Sequence, residues 1–344
     1  MTSSQAKPYK LLLHVGLPKT ATTSLRNNVL IPLHEQGRIN FIGRSNDGIK
    51  AYDRLNNLTP LRYKVPHDEE SYALPPEWES TVLDAERLNV ISNESIIGDV
   101  DFSLGIGLYT ITPLPFADVA QNLADAFQNC DVTVMLTLRA PETYVFSYFV
   151  EWWHWILHSH PRLNTFDKFL NELYTVGNER KWEAFHHGAL VSSLMDWFPK
   201  TRIMLYEDIV GDPDSYFAVL SELLCGAASA EEVGRMMTGS KQNVTSVRKN
   251  YAKSEPIALN ALVASRYGWA LELWKRYNIK ALIGRNALLL RLYDRFRSAT
   301  LATRHPMPDE ATLSSIRRHF AGEYEKLIQA GWVPEEKLER YRYL

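Results

Sequence analysis

The densest group of potential anion donors lies in the segment Gly16-Leu17-Pro18-Lys19-Thr20-Ala21-Thr22-Thr23-Ser24, which brings together one ammonium and four hydroxyls. It follows a short apolar run, LLLHV, so a glycine there lets the chain turn tightly out of a strand. The next residues can then aim peptide N–H groups at an anion lying on a helix start. The plain alternative is a helix start capped by threonine and serine. A Walker A loop is ruled out, because it requires a glycine immediately before the lysine and Pro18 stands there. An ordinary ATP or GTP site is therefore disfavoured. A kinase with a divergent loop would also need Mg²⁺ and an acidic ligand at a second strand end.

A second set of residues follows the apolar run VTVMLTL: Arg139, then Pro141 opening a helix, then Ser147. An arginine at a strand's C-terminal end and a hydroxyl two helical turns later can converge on one phosphate, the guanidinium giving a fork of donors. The alternative is a surface arginine beside a helix-facing serine. Glu94, in LNVISNESIIGD, directly follows another predicted buried strand, and ligands of open α/β sheets sit at such carboxyl ends. Its carboxylate is the candidate proton acceptor, against a capping or salt-bridged role.

Other polar clusters carry less. His14 lies on the first predicted strand and reads as a packing histidine. His154, His158 and His160 suggest zinc, but Trp155 replaces the glutamate of HExxH, and no metal site is expected. Asp68, Glu69 and Glu70 beside His67 read as solvated surface, and Gly105 with Gly107 forms a lone GxG with no cofactor assigned. Trp152, Trp153 and Trp155 suit either a helix core or the floor of an acceptor site.

These residues need a scaffold of strands feeding helices. Short apolar runs at Lys10 to Val15, Leu88 to Ser92, Val132 to Leu138 and Arg202 to Tyr206 alternate with helical patterns, which predicts α/β architecture with a central parallel sheet flanked by helices. A helix is expected from Thr22 to about His34 and another from Ala117 to Cys130. Beyond Pro141 the chain reads as mostly helical, with breaks near His160, Gly177, Pro199, Gly211, Gly226 and Pro306. Residues 43–80 lack any period and read as an insertion over a site or as a surface excursion. One domain over residues 1–344 is expected, with a helical C-terminal part from about residue 256.

Composition sets few further bounds. The 344 residues carry a formal net charge of −2 and are 45% hydrophobic, so anion binding must be local, and nucleic acid is not an expected partner. Two cysteines, Cys130 and Cys225, are too few for a disulfide framework. No window reaches the roughly 18 apolar residues of a membrane span, and the N-terminal apolar stretch is too short for a signal peptide. A cytoplasmic protein is the expectation. Between residues 275 and 304 lysine and arginine interleave with leucine, suiting a solvated helix face, an anionic membrane or an acidic acceptor.

Taken together, strand-GxPKTxTTSL and the Arg139–Ser147 pair resemble the two nucleotide motifs of sulfotransferases that use 3′-phosphoadenosine 5′-phosphosulfate (PAPS). The segments TRIMLYEDIVGDPDSYFAVLSELLCG and HFAGEYEKLIQAGW also look like that family's. The resemblance implies a P-loop-like fold. It gives Lys19 the phosphosulfate, and Thr20, Thr22, Thr23 and Ser24 the 5′-phosphate, with backbone help from Gly16, Pro18 and Ala21. It gives Arg139 and Ser147 the 3′-phosphate, with Arg248 and Lys249 closing over it and Tyr206 near the nucleotide. A glutamate rather than a histidine as base resembles the bacterial and carbohydrate-type members more than the cytosolic phenol-type ones. The implied chemistry is in-line sulfuryl transfer to a hydroxyl or amine of a carbohydrate, lipid or other small acceptor. It leaves adenosine 3′,5′-bisphosphate and needs no metal. A nucleotide-binding module without catalysis is the alternative from another class.

Overall fold

The computed structural model describes residues 9–43, 63–64, 78–93, 112–159, 161–176, 180–238, 251–253, 257–258, 300–301 and 304–344. A five-stranded sheet forms its centre, built from β1 (Tyr9–His14), β2 (Asn40–Gly43), β3 (Asn89–Ser92), β4 (Cys130–Leu138) and β5 (Thr201–Leu205). The spatial order is β2-β3-β1-β4-β5, and every pairing is parallel. The expected α/β architecture, a parallel sheet with helices on both faces, is what the chain forms.

Both faces of the sheet are buried, as a parallel sheet requires. Alternate residues serve opposite faces: Leu11, Leu13 and Val15 join one apolar cluster, while Leu12 joins the other. The larger cluster is covered by helices of residues Phe116–Ala126, Pro141–Ser159, His187–Trp197 and Glu310–Gln329. The smaller is covered by the helical stretch after β1 and by Pro213–Leu223 and Ala230–Thr238. In chain order the helices used below are α1 (Thr22–Leu25), α2 (Ile31–Glu35), α3 (Phe116–Ala126), α4 (Pro141–Ser159) and α5 (Glu310–Gln329).

Three of the four predicted strands agree with the structure to within a residue at either end, while β4 begins at Cys130, two residues earlier than expected. The helix expected from Thr22 to about His34 is divided: α1 passes into a π-helical turn, Arg26–Leu30, before α2. Pro32 sits in the first turn of α2. Having no N–H, it cannot donate back to residue 28, and the widened turn lies just ahead of that missing bond. The breaks read near Pro199, Gly211 and Gly226 fall at or just past helix ends, and Gly226 has a φ of +75° that favours glycine, while Gly177 lies outside the described residues.

Of the five strands of the central sheet, β2 is the one the sequence did not reveal. It begins with a buried polar residue, Asn40, whose amide donates to the Val82 carbonyl at 2.8 Å and to Asn89 Oδ1 at 2.7 Å. Within the 43–80 region the described pieces are the strand Tyr63–Lys64, paired antiparallel with Thr112–Pro113, and the helix beginning at Trp78. Towards the C-terminus, Tyr251–Lys253 pairs antiparallel with Arg304–Pro306.

Strand order places a switch point at β1. The chain leaves β1 towards β2 on one side and reaches β4 on the other, so the carboxyl ends of β1 and β4 face a common crevice. His14 pairs in register with Ser92 on β3 and with Met135 on β4.

Candidate nucleotide-phosphate site

The loop after β1 is tightly made. A Cβ on Gly16 would meet Thr22 Oγ1 at 2.5 Å and His14 Nε2 at 3.2 Å, so only glycine lets the chain pass. Lys19 and Ala21 both adopt left-handed backbone, with φ of 66° and 65°. For residues with a Cβ this costs about 1–2 kcal/mol each. The same geometry turns successive peptide N–H groups towards one concavity. Strain of this kind points to a functional loop rather than an ordinary connection.

The loop's hydroxyls divide into different tasks. Thr20 is buried and donates to the Leu17 carbonyl at 2.6 Å, fixing the turn. Ser24 accepts a hydrogen bond from the Asn28 side chain at 3.0 Å. Thr22 is buried, and among the described residues its hydroxyl has no hydrogen-bond partner. Leaving such a group unmatched costs about 1–3 kcal/mol. It is the loop's orphaned donor, lying directly against Gly16.

His14, just before the loop, is neutral. Burial, with the charge of Arg26 adding to it, pushes the imidazole down to about 4. Its Nδ1 lies 2.8 Å from Ser92 Oγ in a hydrogen bond, and the Asn93 N–H donates to the His14 carbonyl at 3.2 Å. The end of β3 is thereby tied to the loop at the position leading into Glu94. Glu94 itself, like Arg248 and Lys249, lies outside the described residues.

Arg139 stands at the end of β4 and reaches across to the loop. Its Nη1 donates to the Lys19 carbonyl at 2.9 Å and to Ser147 Oγ at 3.2 Å, while Nε donates to Thr143 Oγ1 at 3.1 Å. The Tyr206 ring lies beneath the guanidinium, 4.5 Å from Cζ to centroid. The two motifs, 120 residues apart in sequence, are therefore one assembly. The lysine ammonium extends over the same crevice to Glu151 Oε2, 2.9 Å away on α4.

Behind Arg139 is a buttress that the motifs did not disclose. Glu207 accepts from the Ala140 N–H at 3.0 Å and from the Tyr343 hydroxyl at 2.7 Å. Burial holds this carboxyl above its ordinary range, and the hydrogen bonds from Tyr343 and Ala140 oppose that shift. The neighbouring Asp208 accepts from Lys337 and from the Tyr341 hydroxyl, both at 2.9 Å. Thr143, four residues after Arg139, and Glu151, four after Ser147, are the additions that helical periodicity could have suggested.

The remaining candidates lie elsewhere. Trp153 is buried in the larger cluster and Trp152 packs on Tyr148, so both contribute to the core. At His154, Trp155 and His158 only the backbone is described, and His160, His67, Asp68, Glu69, Glu70, Gly105 and Gly107 lie outside the described residues. The same holds for residues 275–299. Among the described residues no helix is long and apolar enough to cross a membrane. Nor do three His, Cys, Asp or Glu side chains there gather as a metal site.

No protein-family model and no curated protein matches the chain. Solved structures that match the chain include the following two. One is a sulfotransferase from Alicyclobacillus acidocaldarius, 17% identical, with 64% of this chain and 81% of that chain covered and a TM-score of 0.38. The other is a retinol dehydratase in complex with androsterone and inactive cofactor PAP. It is 14% identical, with 67% of this chain and 64% of that chain covered and a TM-score of 0.34.

Proposed function

We propose that this chain is a PAPS-dependent sulfotransferase, moving a sulfuryl group to a hydroxyl or amine of a carbohydrate, lipid or other small acceptor. The observation that carries the proposal is the reach of Arg139, which joins Ser147 and the Lys19 carbonyl in one crevice. Anion donors brought into one crevice from two elements, the loop after β1 and the end of β4, suit a nucleotide phosphorylated at both ends of its ribose.

The donor set fits that ligand. Thr22 offers an unmatched hydroxyl, Gly16 leaves the loop open to close approach, and Lys19 and Arg139 supply positive charge. Lys19 with Thr22, Thr23 and Ser24 would hold the 5′ end, with Thr20, Pro18 and Ala21 shaping the loop. Arg139 and Ser147 would hold the 3′-phosphate, joined by Arg248 and Lys249. PAPS supplies an activated sulfuryl group whose transfer leaves negative charge on a phosphate oxygen. Lys19 neutralises that charge, and Glu94 takes the acceptor's proton. We further propose one domain over residues 1–344, a cytoplasmic setting, and peripheral membrane contact through the basic segment 275–304 if the acceptor is a lipid.

Isothermal titration is the direct test. Adenosine 3′,5′-bisphosphate is expected to bind tightly without metal. Binding of ATP–Mg²⁺ with none of the bisphosphate would replace this proposal with a kinase. Lys19→Ala should abolish transfer of labelled sulfate from PAPS, whereas Glu94→Gln should retain nucleotide affinity and stop transfer.

A further inference from the structure

A carboxylate inside an anion site requires its own account. Glu151 lies on α4 one turn beyond Ser147, and its Oε2 is 2.9 Å from Lys19 Nζ. Among the described residues it is the ion-pair partner of that lysine. The pair is partly exposed, 20% for the lysine side chain and 37% for the glutamate, so it adds little to folding. Its effect falls instead on the ammonium. While Glu151 holds Lys19, the charge meant for the donor's 5′ end is already neutralised.

Resting on the sulfotransferase reading, we propose that Glu151 is a positioning residue for Lys19, holding the ammonium aside until the donor's 5′-phosphate takes it over. The exchange needs only side-chain rotation. Lysine is a flexible point charge with three donors, whereas Arg139 is fixed by Thr143, Ser147 and the Lys19 carbonyl. The 3′ half of the site is thus preset, and the 5′ half is won by competition. A ligand without a 5′-phosphate gives Lys19 no reason to leave Glu151.

The test compares two ligands on one variant. In Glu151→Gln, adenosine 3′,5′-bisphosphate should bind about fivefold tighter than to the parent protein, the equivalent of about 1 kcal/mol for a partly exposed ion pair. Adenosine 3′-monophosphate should bind with unchanged affinity. An equal change for both ligands, or none for the bisphosphate, overturns the role assigned to Glu151 while leaving the sulfotransferase reading intact. Failure of the parent protein to bind the bisphosphate overturns that reading itself. Glu151→Ala, read by the same ligand pair, replaces the glutamine variant if that one does not fold.

Discussion

Arg139 spends its donors in three directions at once, on Thr143, Ser147 and the Lys19 carbonyl, and stacks on Tyr206 besides. A lysine there would keep the charge but lose the planar fork. Arg139→Lys is therefore expected to weaken adenosine 3′,5′-bisphosphate binding at least tenfold, about 1.5–3 kcal/mol for lost charge-assisted bonds. The melting temperature should stay within a few degrees of the parent's. Calorimetry and a thermal melt on the same sample decide it. The arginine, the serine and the loop lysine were legible because each sits at a fixed offset from an apolar run. Glu151 and Glu207 were not. Their partners lie 132 and 136 residues away, and no local spacing announces which helix face or which tyrosine will arrive there.

At the scale of elements, the turn between β1 and α1 is the least forgiving piece of backbone. Gly16→Ala would force a methyl group into Thr22 Oγ1 at 2.5 Å. A loss of about 1–3 kcal/mol in urea unfolding is expected, with partial recovery in the double variant Gly16→Ala/Thr22→Ala. Recovery failing in the double variant would mean that the glycine matters for a reason other than this contact. The sheet was largely legible because β1, β3, β4 and β5 are apolar runs bounded by turn residues. β2 was not, for a physical reason: its four buried residues open with the polar Asn40 and close with Gly43, leaving Phe41 and Ile42 as too short an apolar run to show a period. Their place is fixed by hydrogen bonds to Val82 and Asn89 on distant segments. The π turn before Pro32 was hidden similarly, since hydrophobic spacing shows that a helix is present but not how its hydrogen bonds are shared.

Over the whole molecule, two fully buried histidines make stability depend on pH. Burial drives His14 down to about 4 and His187 down to about 3, with lesser contributions from neighbouring charges. His187 Nδ1 is hydrogen-bonded to the Tyr324 hydroxyl on α5 at 2.7 Å. Below the ordinary value of 6.5 the unfolded chain takes up protons that the native chain refuses. The part of stability that rests on these two histidines is therefore present above pH 6.5 and is lost as pH drops towards 4 for His14 and towards 3 for His187. Between pH 7 and pH 5 the expected loss is about 2 kcal/mol for each histidine. Glu207, with its raised carboxyl, acts in the opposite sense just above its ordinary range and offsets part of this. Urea melts at both pH values should show the decline, and His187→Gln should make it shallower. An equal slope in the variant would remove His187 from the account.

The contact between Glu207 and Tyr343 has a consequence in time. A ribosome delivers residue 207 long before residue 343, and during that interval the carboxylate behind Arg139 lacks its tyrosine hydroxyl. The five sheet strands are all synthesised by residue 205, so the central sheet can assemble on the nascent chain while the arginine's support is still missing. The buttress behind Arg139 is therefore completed late, as a separate event from formation of the sheet.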